Sequence, residues 1–254
     1  MSMNVVVTGA TAGIGKAYVE MFAHQGANIT LISRDSARMQ TQVTDLQMRF
    51  PNQQFDFESC DLSTEAGISA LEERIRSTKV DVLINNAGFA TNQKFSETAM
   101  DKETIALNVM VNAVMRATYA VLPQMLDRGG EIVVVASVAG FLPGGTYSAI
   151  KAWNVSFVEG LSRQLKRTNV RISALCPGFT RTEFHERAGI STDPIPNWLW
   201  LDANRVVRTG WEDHLKGRVI SVPGWQYKLL LSLTRILPRR TVANISGSLR
   251  KSTK

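Results

Sequence analysis

The feature that most constrains this chain is the junction at residues 5–15. An apolar β-branched run, Val5-Val6-Val7-Thr8, passes without a break into Gly9-Ala-Thr-Ala-Gly13-Ile14-Gly15, and a helical pattern follows through Val19, Phe22 and Ala23. Strand, glycine turn and helix in that order form the context a phosphate-binding loop requires. The glycines permit a tight turn and close backbone approach to a pyrophosphate, and the helix N-terminus offers unpaired N–H groups to the anion. A glycine-rich turn with no ligand is the plainer reading, but the position and surroundings favour the phosphate loop.

The same alternation continues along the chain. Apolar strand patterns at Ala27–Ser33, Phe55–Ser59, Val80–Ile84, Glu131–Ala136, Val170–Cys176 and Arg218–Val222 are separated by helical patterns. The helices run over Asp35–Phe50, a segment holding Ile68, Leu71 and Ile75, Asp101 to about Asp127, 147–168 and Asp202–Lys216. This order predicts right-handed βαβ units and an α/β fold, a Rossmann-like doubly wound parallel sheet with helices on both faces. Ligands on such a sheet gather at the carboxyl ends of its strands, where Gly13, Arg34, Asp61, Asn86 and Ser137 all fall.

The second strand ends in Ser33-Arg34-Asp35, with Arg38 one helical turn on. A carboxylate at this tip would accept from a ribose 2′-hydroxyl, whereas an arginine pairs with a 2′-phosphate, so the tip argues for NADP(H) over NAD. The plain alternative makes Arg34 a solvated residue and Asp35 only a helix cap.

Tyr147-Ser-Ala-Ile-Lys151, with Ser137 ten residues upstream, carries the chemistry. On a helix, residues four apart share a face, which sets a phenol beside an ammonium group. A free tyrosine titrates near pH ~10, and lowering it by ~3 units takes about 4 kcal/mol, attainable in a partly dehydrated cleft that also holds a charged cofactor. Ser137 would hydrogen-bond a substrate oxygen. Asn108, among Ile105, Leu107, Val109 and Val111, must find partners for its amide, either as a structural hydrogen-bonder or in a water relay.

The formal net charge of +7 is uneven: Gln226–Lys254 holds Lys228, Arg235, Arg239, Arg240, Arg250, Lys251, Lys254 and no acid, leaving 22 basic against 22 acidic residues before it. A neutral body argues against a nucleic-acid partner, because the excess is not a basic face with interleaved aromatics. Cys60 and Cys176 have neither disulfide-scaffold nor metal-ligand spacing, so no metal is expected and a cytoplasmic setting fits. No run comes near the ~20 apolar residues of a membrane span.

Taken together, the chain resembles the short-chain dehydrogenase/reductase family over roughly residues 4–222. Thr8–Gly15 is similar to its TGxxxGxG loop, Asp61-Leu62 to its adenine-side pair, and Asn85-Asn86-Ala87-Gly88 to its NNAG turn. Asn108, Ser137, Tyr147 and Lys151 match its Asn–Ser–Tyr–Lys tetrad, and Pro177-Gly178 with Thr182 its PGxxxT segment near the nicotinamide. The resemblance implies that Tyr147 exchanges the proton with the substrate oxygen and Ser137 positions that oxygen. It further implies that Lys151 holds the nicotinamide ribose and depresses the Tyr147 pKa, that Asn108 anchors a water linked to Lys151, and that the protein is a homodimer or homotetramer. Two departures stand out. The Ser137–Tyr147 interval is shorter than in many members, which implies a reshaped cleft mouth, and Ala12 replaces the basic residue that NADP-preferring members often carry in the loop.

Phe89, Phe141, Leu142, Phe179, Trp198 and Trp200 fall in segments expected at the cleft rim, which suits a small apolar carbonyl or alcohol substrate; packing of the flap alone would also explain them. His185 reads as a surface residue. The expected organisation is a dinucleotide-binding catalytic domain over 1–225, with an irregular flap at about 184–200, and a basic amphipathic tail over 226–254. For that tail three readings compete: a lid or subunit contact, a peripheral membrane anchor and a frayed end. The rivals to an enzyme are a non-catalytic NADP(H)-binding sensor and a membrane-peripheral lipid-interaction protein.

Overall fold

A computed structural model describes residues 2–90, 94–189 and 195–236. Seven strands form one wholly parallel sheet: β1 (Asn4–Thr8), β2 (Asn28–Ser33), β3 (Phe55–Ser59), β4 (Val82–Asn85), β5 (Gly130–Val135), β6 (Val170–Leu175) and β7 (Ile220–Ser221). Their spatial order is β3-β2-β1-β4-β5-β6-β7. The direction of winding therefore reverses between β1 and β4, the place where a doubly wound sheet opens a crevice. Val5, Val6 and Val7 pair with Val82, Leu83 and Ile84 in register there. These six side chains are buried, as a sheet covered on both faces demands of its central strands.

The helices are α1 (Gly13–His24), α2 (Ser36–Arg49), α3 (Glu65–Ser77), α4 (Met100–Leu107), α5 (Ala113–Arg128), α6 (Thr146–Gln164), α7 (Phe184–Arg187), α8 (Ala203–Leu215) and α9 (Trp225–Ile236). One core layer joins α1 and α8 to the sheet through Tyr18, Phe22, Val206 and Trp211, with Phe22 and Trp211 meeting edge to face at 4.9 Å. The other joins α3, α5 and α6 through Ile68, Leu71, Ala117, Val121, Val155 and Val158. The predicted doubly wound fold is thus the one observed.

The long helix expected over 101–127 is interrupted. Residues Asn108–Asn112 form a π-turn between α4 and α5, and the Asn108 side-chain N–H donates to the Ser63 carbonyl at 2.9 Å. Periodicity alone does not reveal such an insertion, because one extra residue shifts the apolar face by about a quarter turn and the pattern resumes. The whole run Met100–Arg128 also has the length and apolarity to cross a membrane, the one such helix among the described residues. That corrects the expectation that no segment approaches a span. The run lies along the sheet instead, with Ala113, Val114, Ala117, Val121 and Met125 buried.

Candidate active site

Three chain segments converge at the carboxyl ends of β1 and β4. Thr8 ends β1, and its hydroxyl oxygen accepts from the Asn86 and Ala87 amides at 2.9 and 3.0 Å. The Asn86 side-chain N–H returns to the Thr8 and Gly9 carbonyls at 2.9 and 3.1 Å. This lattice fixes the Gly9–Gly15 loop against the Asn85–Gly88 turn. Gly9 and Gly13 have φ of +65° and +53°, and a Cβ on Gly15 would stand 2.1 Å from the Gly9 carbonyl oxygen. A Cβ on Gly13 would press on the Thr182 side chain at 3.1 Å, so Thr182, from the segment after β6, reaches the same loop. The α1 N-cap is Ala12, which gives the first-turn amides no side-chain partner. Backbone that only glycine can adopt and an uncapped helix N-terminus fit the phosphates of a dinucleotide.

Ser33, at the tip of β2, lies 3.4 Å from the Thr11 hydroxyl on the glycine loop. Arg34 is exposed beside it, and its charge helps hold the Asp61 carboxyl below the usual range, the larger causes being hydrogen bonds from the Ser63 amide and hydroxyl. Leu62 is buried in the core layer behind this corner. Arg38 does not join Arg34 as a second free cation. Its guanidinium makes two bonds to Glu183, at 3.1 and 2.6 Å, and so ties α2 to the start of α7. No local pattern points to that partner, 145 positions away.

The second cluster is Ser137, Tyr147 and Lys151. Lys151 is 4% exposed. Its ammonium nitrogen donates to the Val135 carbonyl at 2.8 Å and lies 5.6 Å from the centre of the Tyr147 ring. The helix approaches closely here because of a glycine: a Cβ on Gly140 would meet the Lys151 carbonyl at 2.7 Å. Ser137, just past β5, accepts from the Ala139 amide at 3.1 Å and donates to the Pro177 carbonyl at 3.4 Å, and its hydroxyl favours ionisation of the neighbouring Tyr147. The short loop between them folds as a single 3-10 turn, Val138–Phe141.

One expectation is overturned. Burial pushes the Tyr147 phenol up to about 12, and the Ser137 hydrogen bond opposes this only in part. Burial also pushes Lys151 down to about 8, with Cys176 opposing. With a value near 8 the lysine still carries its charge at neutral pH, 5.6 Å from the centre of the phenol ring. Its nitrogen faces a backbone carbonyl, and in the protein alone desolvation outweighs the attraction. Asn108 is committed to Ser63, at the hinge of the helix.

Two residues of the flap region differ from expectation. His185 is buried at 8% exposure, not on the surface. Its ring sits between Phe179, Phe184 and Trp200 at 5.7, 5.5 and 5.0 Å, and burial lowers its pKa. Phe184 continues the aromatic wall to Tyr147 at 6.0 Å. Tyr227 on α9 gave no signal in the sequence. Its ring covers Gly178, where a Cβ would lie 2.0 Å from the phenol carbon. Its hydroxyl accepts from the Phe179 amide at 2.9 Å and donates to the Leu199 carbonyl at 2.6 Å. Gly178 and Phe179 are therefore held from behind by α9.

A glycine loop at the switch point of a doubly wound sheet, with a serine, a tyrosine and a buried lysine at the end of β5 and on α6, fits the class of nicotinamide-dependent oxidoreductases. The short chain dehydrogenase family model matches residues 3–191. The chain belongs to that family. It is 30% identical over 196 residues to the oxidoreductase UcpA of Salmonella typhimurium, covering 74% of this chain and 73% of that one. Among solved structures, a short-chain dehydrogenase from Sphingobium yanoikuyae in complex with NADPH superposes with a TM-score of 0.84 at 28% identity, covering 92% of this chain and 94% of the other. The bulky-bulky ketone specific alcohol dehydrogenase from Comamonas testosteroni gives 0.79 at 26%, covering 92% of each. A short chain dehydrogenase/reductase from Burkholderia phymatum, TM-score 0.78 at 25% identity and covering 92% of each chain, was solved in complex with NAD.

Two predictions follow from this geometry. The Lys151 pKa falls from 10.5 to about 8 on folding, so between those values the unfolded chain holds a proton the folded one lacks, and stability rises with pH across that window. Lys151→Met removes the term: urea denaturation should show its advantage over the parent protein at pH 7 shrinking by about 3 kcal/mol on going to pH 10. Tyr227→Phe keeps the ring but strands a buried N–H and a carbonyl. It should weaken nicotinamide-nucleotide binding roughly tenfold, read by fluorescence titration, with a smaller change in kcat.

Proposed function

We propose that the protein is an NADP(H)-dependent oxidoreductase that interconverts a carbonyl and a secondary alcohol by hydride transfer, with Tyr147 as general acid/base and an apolar substrate. The observation that carries this reading is the buried Lys151 amine, held by the Val135 carbonyl at 2.8 Å, lying 5.6 Å from the centre of the Tyr147 ring beside Ser137 at the end of β5. When bound, the nicotinamide supplies or takes up the hydride. The residues Gly9, Gly13, Ile14, Gly15, Asn86, Ala87 and Gly88 would hold its phosphates and inner ribose, Asp61 and Leu62 its adenine side, and Pro177, Gly178 and Thr182 its nicotinamide end.

This chain then orients and protonates. Ser137 fixes the substrate oxygen beside the Tyr147 hydroxyl. At neutral pH the raised phenol retains its proton, so in carbonyl reduction it delivers that proton to the oxygen while hydride reaches the carbon, and one carbonyl becomes one alcohol. In the reverse direction the phenol must first lose its proton, and Lys151 is the amine placed to stabilise the charge. Asn108 acts at one remove, by setting the bend between α4 and α5.

NADP(H) rather than NAD rests on Arg34, which is exposed at the ribose corner with no carboxylate of its own strand tip turned to a 2′-hydroxyl. Ser33 lies beside it, and Arg38 contributes by anchoring the flap through Glu183. An apolar, sizeable substrate is supported by the wall of Phe184, Phe179, Trp200 and His185 beside Tyr147, and by the bulky ketones of the Comamonas testosteroni relative. Residues 1–225 would form the catalytic unit, with α9 docked on it. A homodimer or homotetramer is supported by exposed Met115, Tyr119 and Leu126 on α5 and by an open groove on α6 lined by Trp153, Phe157 and Leu161. The two cysteines, both buried and free, suit a cytoplasmic site of action.

Tyr147→Phe should abolish ketone-dependent NADPH oxidation, by about 1,000-fold or more, while leaving NADPH binding intact. A sensor would be indifferent to that change. Arg34→Ala should raise the KM for NADPH roughly 30-fold, as expected for losing a charge-assisted phosphate contact, and leave that for NADH within a factor of about 3.

A further inference from the structure

We propose that α9 docks the protein on an anionic lipid bilayer through an outward stripe of Trp225, Leu229 and Leu233, extended by Trp198. The three α9 residues are four apart, so they share one helix face, and they are 71%, 54% and 47% exposed. Trp198, 62% exposed, stacks on Trp225 at 6.5 Å. The opposite face of the same helix is spoken for: Tyr227 and Leu231 are 2% and 8% exposed in the core. Much of the stripe is left facing water, and four large apolar side chains together are costly to leave there.

The charge decides the occupant. Lys228 lies exposed on the flank of the stripe, and the residues from Gln226 to the end of the chain bring seven basic groups and no acid, the whole excess of the protein. An apolar stripe carrying tryptophan, flanked by Lys228 and followed in the sequence by six further basic residues, matches the layered chemistry of a bilayer surface, where indole sits at headgroup depth and each cation gains about 1 kcal/mol near anionic lipid. A second copy would instead bring two such basic segments together. With 12 residues, α9 is too short to span and lies in the interface plane. Its inner face packs on the Val138–Phe141 turn between Ser137 and Tyr147, so docking would turn the mouth of the site toward the bilayer. If the proposed reaction is right, an apolar carbonyl or alcohol then enters from the lipid phase; the docking itself does not depend on that reading.

The test is sedimentation of the full-length protein with vesicles. Binding is expected to vesicles of phosphatidylcholine with phosphatidylserine, at least about tenfold weaker binding to phosphatidylcholine alone, and weakening by salt. Trp225→Ser, Leu229→Ser and Leu233→Ser together should lower the partition coefficient at least ~30-fold, and Trp225→Ala alone about fivefold, with circular dichroism and melting midpoint unchanged. Substitution is preferable to truncation, since removing α9 also removes Tyr227. Equal sedimentation of parent and stripe variants, or no binding to anionic vesicles, overturns the proposal. Self-association abolished by the stripe variant, without lipid binding, also overturns it and assigns the surface to a second copy. Loss of ketone reduction with vesicle binding retained would count against the proposed reaction alone.

Discussion

A lysine amine almost without access to water is the constraint around which the site is arranged. Burying an ammonium group is costly, and the fold meets that cost with one strong acceptor, the Val135 carbonyl at 2.8 Å. Everything near it is then dictated. Val135 ends β5, so its carbonyl is freed from the ladder at the point where Lys151 arrives from α6. Gly140 must lack a side chain, because the turn after β5 closes on the Lys151 backbone, and Gly88, in the turn after β4, is kept small by the Met110 side chain. The amine binds the carboxyl end of β5 to the helix that carries the tyrosine.

The dinucleotide crevice is built by different means. Thr8 and Asn86 exchange hydrogen bonds across the β1–β4 boundary, and the loop they brace can take its shape only with glycine at positions 9, 13 and 15. Over this crevice lies a second tier assembled from distant parts of the chain: Thr182 against Gly13, Glu183 bridged to Arg38, and Tyr227 strapping Phe179 to Leu199. Proton chemistry, nucleotide binding and surface contact thus share a small set of backbone segments, and a change in α9 is transmitted to Gly178 through a single phenol.

Much of this was legible in the sequence, and the reason is local. A parallel strand buried on both faces must be a β-branched run, and the residue following it must be a tight turn or a ligand contact, so β1, β4 and β5 announce themselves together with Gly9, Asn86 and Ser137. What stayed hidden depends on partners far away in the chain or on energetic balance. Arg38 looks like a phosphate ligand until Glu183 is seen to occupy it. His185 looks like a solvated loop residue until three aromatic rings enclose it. The π-turn at Asn108 leaves the apolar periodicity intact on either side. The acidity of Tyr147 could not be read from a Tyr–Lys spacing, because the spacing says that the charge is near and not that both groups are dry.

The central claim, that Lys151 is a buried amine with its proton affinity reduced by the fold, can be measured directly by following the side-chain resonances of isotopically labelled lysines through a pH titration. One lysine signal should titrate near pH 8, well below the ordinary 10.5, and be missing from the spectrum of Lys151→Arg. If every lysine in the chain titrates near 10.5, the amine is solvated and this account of the site is wrong.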